Sequence, residues 1–218
     1  MFDIVFACDF PLPELVPDDE GQPVFRVSLG EVEGYLTDDF TTTFEFRDQD
    51  GHPVCYTARY GEDSMLVFPG DVRFLVRSDL EIRCLPEPGC EPELVRMLLV
   101  NQVIPRVLGS HGHLVLHASA VVLQKPERAV AFLGNTGYGK STLASALHRE
   151  GAAMISDDGI LLRPIREGIG AWGGPPVVRL LSDSLAKLYG DTGHSIDDVP
   201  HSAKRRVTLD REVVAGDG

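Results

Sequence analysis

Gly134-Asn135-Thr136-Gly137-Tyr138-Gly139-Lys140-Ser141-Thr142 fits the pattern G-x-x-x-x-G-K-[ST] at every position. Glycines in such a loop let consecutive backbone N–H groups turn inward around phosphate oxygens, where a Cβ would obstruct them. A helix that follows adds its positive N-terminal end. Lys140 is then expected on the β- and γ-phosphates and Ser141 on Mg²⁺. The pattern carries this meaning where the loop leaves a strand and opens a helix. Ala129-Val130-Ala131-Phe132-Leu133, before the loop, is a short continuous apolar run of the kind found in a buried parallel strand. Lys140 to Glu150 reads as a helix with Leu143, Ala146 and Leu147 on one face, stopped by Gly151. The bland alternative is a glycine-rich turn with a chance lysine, and both flanks oppose it.

Outward from the loop, the texture on the C-terminal side is α/β. Leu114 to Leu123 reads as one long, mostly apolar strand that contains His117, and Ala152 to Ser156 as the strand after the helix, ending at Asp157-Asp158. Gly159 to Arg163 continues as a strand, and the Gly/Pro cluster Gly168 to Pro176 reads as a loop. A short helix is expected from Ser182 to Gly190, a polar stretch from Asp191 to Ala203, a strand at Arg206 to Leu209, and an unstructured Gly216-Asp217-Gly218. On the N-terminal side, Val24 to Leu29 and Thr42 to Arg47 alternate apolar with polar residues, and Asp50-Gly51 and Gly70-Asp71 supply turns, as in a small antiparallel sheet. A helix from about Pro92 carries Leu94, Met97, Leu98, Val103 and Ile104 as its apolar stripe, and Pro105 should kink or end it. The expected organisation is a β-rich module over 1–90, a connecting helix over 91–112 and a nucleotide-binding domain over 113–218.

Bulk properties narrow the classes. A chain of 218 residues with 43% hydrophobic content can bury a globular core. A net charge of −13 and a pI near 4.9 oppose nucleic acid or an anionic membrane as the main partner. The first nine residues lack the basic start of a secretory signal, and no apolar run could span a bilayer. Cys8, Cys55, Cys84 and Cys90 show no C-x-x-C spacing and read as reduced, packed thiols of a cytoplasmic protein.

Asp157 and Asp158 lie 17 and 18 positions after Lys140, at the end of an apolar strand. A nucleotide hydrolase or kinase needs a carboxylate there, because that position faces the β- and γ-phosphates. One acid could hold the metal while the other accepts a proton from an attacking hydroxyl. Solvated turn acids are the competing reading. His117, on an apolar strand, reads either as a satisfied core residue or as a partner for the acids. The spacing of His111, His113 and His117 suggests a metal site only weakly, since no fourth ligand is evident.

His117-Ala118-Ser119, the loop Gly134 to Thr142, and Ile155-Ser156-Asp157-Asp158, in this order and at these spacings, resemble the core of the HPr serine kinase/phosphorylase family. The opening Asp9 to Leu15 and the segment Leu114 to Ala118 are similar to a broader group of bacterial HPr-kinase-like proteins. The resemblance implies a P-loop kinase core of α/β class, related in fold to phosphoenolpyruvate carboxykinase. By the same resemblance, Asp157 matches the general base that takes the acceptor serine's proton, and His117 the histidine that orients it. Asp158 matches the second acid near Mg²⁺, while Lys140 and Ser141 keep their phosphate and metal roles. Arg206, in the basic strand start Lys204 to Leu209, is the weaker match to a phosphate-binding position, against a plain solvated basic run. Relatives continue through further strands after the position of Leu209, so either a C-terminally shortened domain or a sheet completed differently is expected. The implied activity is transfer of the γ-phosphate of ATP to a serine of a protein or peptide, with a homo-oligomer left open. The competing expectation is an ATP-binding regulatory or assembly protein with a degenerate kinase site.

Overall fold

The structure, a computed structural model, describes residues 4–13, 15, 20–31, 40–124, 127–135, 137–174, 177–190, 195–199 and 202–209. Thr136 of the loop and the tail 216–218 lie outside these. The chain divides into two compact units, Ile4–Val107 and Leu108–Gly218, the latter taking in Met1–Asp3 as well.

The first unit is built on a seven-stranded sheet. Its strands are β1 (Phe6–Cys8), β2 (Phe25–Leu29), β3 (Thr41–Arg47), β4 (Pro53–Tyr60), β5 (Asp63–Phe68), β6 (Val72–Val76) and β7 (Glu81–Pro86), in the order β1-β2-β7-β6-β5-β4-β3. From β3 to β7 the chain is an antiparallel meander, because short turns join neighbours. The β5–β6 turn needs Gly70, whose φ of 81° lies in the left-handed region. β1 and β2 then add in parallel alongside β7, which the expectation of an antiparallel module did not include. Met65, Val67, Leu75 and Leu85 form a buried cluster on this sheet, packed by Phe40 and Tyr56.

Helix α1 (Pro92–Leu98) runs through a π-turn, Leu99–Val103, into α2 (Ile104–Ser110). Pro105 therefore does not end the helix. It cannot donate an N–H, and the turn before it is widened so that the Ile104 N–H bonds the carbonyl of Leu99 five residues back. Leu94, Leu98, Leu99, Val103 and Ile104 are all buried.

The second unit contains β8 (Leu114–Leu116), β9 (Ser119–Gln124), β10 (Glu127–Phe132), α3 (Lys140–Arg149), β11 (Ala153–Ser156), β12 (Ile160–Ile165), β13 (Gly168–Gly173), β14 (Val177–Leu181), α4 (Ser182–Tyr189), β15 (Ile196–Asp198) and β16 (Lys204–Thr208). They form three small antiparallel sheets, ordered β10-β9-β11, β13-β12-β8 and β14-β16-β15.

This is not the α/β P-loop kinase core expected from the loop and its flanks. Strand makes up 46% of the structure and helix 21%, spread over several sheets. The strand before the loop, β10, is neither parallel nor fully buried. Among the described residues it pairs only with β9, antiparallel, turns Val130 and Phe132 inward, and leaves Ala129 and Ala131 exposed. An apolar run of five residues does not distinguish these two situations. Two further readings are corrected. Leu114 to Leu123 is two strands in different sheets, broken at His117-Ala118. Gly168 to Gly173 is a strand rather than a loop, because Gly173 lets β13 approach the backbone of Ile155 so closely that a Cβ would collide with its carbonyl.

Three apolar clusters hold the second unit together. One joins Val121, Ala144 and Ala152, a second Ala118, Ala120 and Ile160, and a third Val178, Leu180, Leu185, Tyr189, Val207 and Leu209. Met154 on β11 packs against the first and the third, so the helices and two of the sheets share one interior. No helix among the described residues is long and apolar enough to cross a membrane. All four cysteines are free thiols. Cys55 and Cys84 are buried, Cys90 is partly covered, and Cys8 is exposed rather than packed.

Candidate functional site

The loop Gly134 to Gly139 leaves β10 and enters α3, so the local order of strand, loop and helix is kept although the sheet around it differs. Gly137 and Gly139 adopt φ of 88° and 80°, which side-chain-bearing residues resist, and Gly139 is the residue from which α3 starts. Lys140, the first residue of the helix, folds back over the loop. Its Nζ donates to the carbonyls of Gly134 at 2.8 Å and Asn135 at 3.2 Å. Among the described residues, two of the three donors of this ammonium group are thus taken by loop carbonyls. Ser141 is half-buried beside it, and Thr142 Oγ1 donates to Ser184 Oγ at 3.4 Å, tying α3 to α4. Tyr138 stands out from the loop with 77% of its surface exposed. Leu143, expected on the inner face of α3, is exposed, and Ala144 and Ser145 are buried in its place.

The two acids at the end of β11 are in different surroundings. Asp157 is 3% exposed, and both carboxylate oxygens are engaged. Ser119 Oγ, itself 1% exposed at the start of β9, donates to Oδ1 at 2.6 Å, and the backbone N–H of Arg179 on β14 donates to Oδ2 at 2.8 Å. A buried carboxylate needs such donors to remain charged. The Asp158 side chain is 30% exposed and forms an ion pair with the Arg179 guanidinium. One arginine therefore holds the first acid with its main chain and the second with its side chain.

His117 sits at the break between β8 and β9. Its Nδ1–H donates to the backbone carbonyl of Asp158 at 2.8 Å, so the hydrogen bond goes to the main chain of the acid pair, and the side chain that orients Asp157 is Ser119. Because Nδ1 carries the proton, Nε2 of the neutral ring is an acceptor. The ring's pKa is lowered from its ordinary value of 6.5. Loss of hydration is the main cause, the Lys140 charge comes next, the opposing pull of Asp157 is smaller, and Lys204 and Arg179 add to the lowering. The charges acting on this ring come from the end of the glycine-rich loop, from Asp157, and from β14 and β16.

Arg206 lies opposite Arg179 across β14 and β16 and opposite Asp197 across β16 and β15, and its Nη2 donates to Asp197 Oδ2 at 3.1 Å. Two guanidiniums side by side repel, and burial and the Arg206 charge both lower the Arg179 pKa, while Asp157 opposes them. Of the residues singled out from sequence, Lys140, His117, Asp157 and Asp158 are drawn into one electrostatic neighbourhood that Arg206 joins through Arg179. Arg179 itself was missed. Its signal was a charge in the middle of the apolar run Val177-Val178-Arg179-Leu180-Leu181, which cannot be buried without a partner. Ser119 stands in the segment His117-Ala118-Ser119, whose resemblance assigns it no role.

The histidines His111, His113 and His117 do not bring ligand atoms together. Among the described residues, the group that does is Asp48, Asp50 and His52, exposed in the turn between β3 and β4, where Asp48 Oδ1 already accepts the N–H groups of Asp50 and His52. No family model matches this chain, and neither a curated protein nor a solved structure matches it.

Proposed function

We propose that this chain is an ATP-dependent serine kinase of the cytoplasm, resembling HPr kinase in its site residues, that phosphorylates a serine of a protein or peptide. The observation that carries the reading is the neighbourhood of His117, whose Nδ1–H donates to the backbone carbonyl of Asp158 at 2.8 Å and whose ring feels the charges of Lys140, at the end of the glycine-rich loop, and of Asp157. The donor set fits a magnesium nucleotide: loop N–H groups and the Lys140 ammonium for phosphate oxygens, the Ser141 hydroxyl and the Asp158 carboxylate for the metal. Bound there, Mg·ATP supplies the phosphoryl group and neutralises its charge.

The chain's own contribution is position and proton handling. Asp157, fixed by Ser119 and by the Arg179 N–H, accepts the proton of the acceptor hydroxyl at a lone pair those donors leave free. His117 stays neutral at pH 7 and offers Nε2 as an acceptor. Arg179 and Arg206 supply positive charge near the transferred group.

One observation favours the reading of a nucleotide-binding regulatory protein with a non-productive site. Asp157 is almost wholly covered, and Asp158 is already paired with Arg179. Incubation with labelled ATP, Mg²⁺ and serine-bearing candidate partners separates the two. The kinase reading expects label on a partner, lost in Lys140→Ala and in Asp157→Asn. Nucleotide binding by wild type with no transfer to any partner favours the regulatory reading. Transfer by Asp157→Asn at the wild-type rate would remove Asp157 as the base.

A further inference from the structure

We infer that Arg179 is a latch on the metal carboxylate: its guanidinium keeps Asp158 closed until a divalent cation takes that carboxylate, and the freed guanidinium then serves the phosphates. This rests on the reading of Asp158 as a metal ligand.

Arg179 sits mid-strand on β14 between the buried Val178 and Leu180, and its side chain is only 14% exposed. The strand is anchored to Asp157 through the Arg179 N–H, so the backbone of the arginine is fixed while its side chain has a choice of partners. In the structure that partner is Asp158. A cation and a guanidinium compete for the same carboxylate oxygens, and a divalent ion has the higher charge density. Once displaced, Arg179 faces Arg206, whose own acid, Asp197, lies on the far strand of the sheet. Two neighbouring guanidiniums, one of them newly without its carboxylate, favour an anion between them. Metal and phosphate would therefore bind better together than apart, with Arg179 as the positioning residue that links them.

The test is Mn²⁺ binding followed by electron paramagnetic resonance, first without nucleotide and then with ATP, on wild type, Arg179→Gln, Arg179→Lys and Asp158→Asn. A hydrogen-bonded charge pair is strong enough that its removal should raise the affinity for Mn²⁺ alone about tenfold in Arg179→Gln. ATP should tighten Mn²⁺ less in that variant than in wild type. Arg179→Lys keeps a charge but loses the planar fork, and should fall between them, which guards against a Gln variant that fails to fold. Equal Mn²⁺ affinity in wild type and both Arg179 variants, with Asp158→Asn weakened, overturns the latch and leaves the metal reading standing. Mn²⁺ binding that Asp158→Asn does not change removes Asp158 as a ligand, and the latch with it.

Discussion

Replacing Ser119 by alanine removes the hydroxyl that donates to Asp157 Oδ1 at 2.6 Å, between two residues that are 1% and 3% exposed. Water cannot readily take its place, and among the described residues the carboxylate keeps the Arg179 N–H as its one hydrogen-bond donor. A hydrogen bond to a charged group is worth about 1.5–3 kcal/mol, and here the acceptor left behind is buried, so a loss of about 2 kcal/mol is expected. In thermal unfolding of a chain this long that corresponds to a fall of roughly 4–8 °C. Asp157→Asn provides the control. Its amide NH₂ can donate to Ser119 Oγ while its carbonyl accepts the Arg179 N–H, so the variant keeps both bonds in neutral form. On that background Ser119→Ala should cost only about 1 kcal/mol, giving a coupling of about 1 kcal/mol in the double-mutant cycle. Urea unfolding of the four proteins measures it. A Ser119→Ala cost below about 0.5 kcal/mol, or the same cost on both backgrounds, would refute the claim that Ser119 holds a charged Asp157.

Gly173→Ala should destabilise by about 1–3 kcal/mol, because the new Cβ meets the Ile155 carbonyl on β11 and one backbone must move; an unchanged urea midpoint would show that the two strands do not lie so close. His117 is held below its ordinary pKa of 6.5, so the unfolded chain binds this proton more readily than the folded one. Stability from this group is therefore present above that value and is lost as pH falls through the folded pKa. Unfolding temperatures between about pH 5 and 7.5 should decline less steeply on the acid side in His117→Gln, and parallel curves for the two proteins would be the contrary result.

The local part of the site could be read from sequence because it is local. A glycine pattern, a lysine at its end and a helix after it are set by neighbours a few residues apart, and α3 begins at Lys140 as the pattern requires. What could not be read depends on partners distant in the chain. The apolar run before the loop carries no record of whether β10 pairs on one side or two, and so the class of the fold was misread. The break at His117-Ala118 contains neither glycine nor proline, and only the capture of β8 by β12 and of β9 by β10 and β11 shows it. Gly168 to Gly173 looked like a loop because its glycines suggested turns, whereas at Gly173 the missing side chain is a condition of packing. Arg179 reaches acids 21 and 22 positions earlier in the sequence, a pairing set by how β11 and β14 come together.

Along the helix of the first unit, the buried row steps from Leu94 to Leu98, then to Val103, then to Val107. The middle step is one residue longer than the other two. A regular α-helix would have rotated the following residues away from that face, and the π-turn Leu99–Val103 absorbs the extra residue instead. The helix thus has the form of a shorter one that gained a single residue by insertion and kept its apolar face. Excising that residue would restore even steps, but it would also return the ring of Pro105 to a regular turn whose carbonyl it crowds. Length and proline tolerance in this helix are therefore coupled, and a change in one constrains the other.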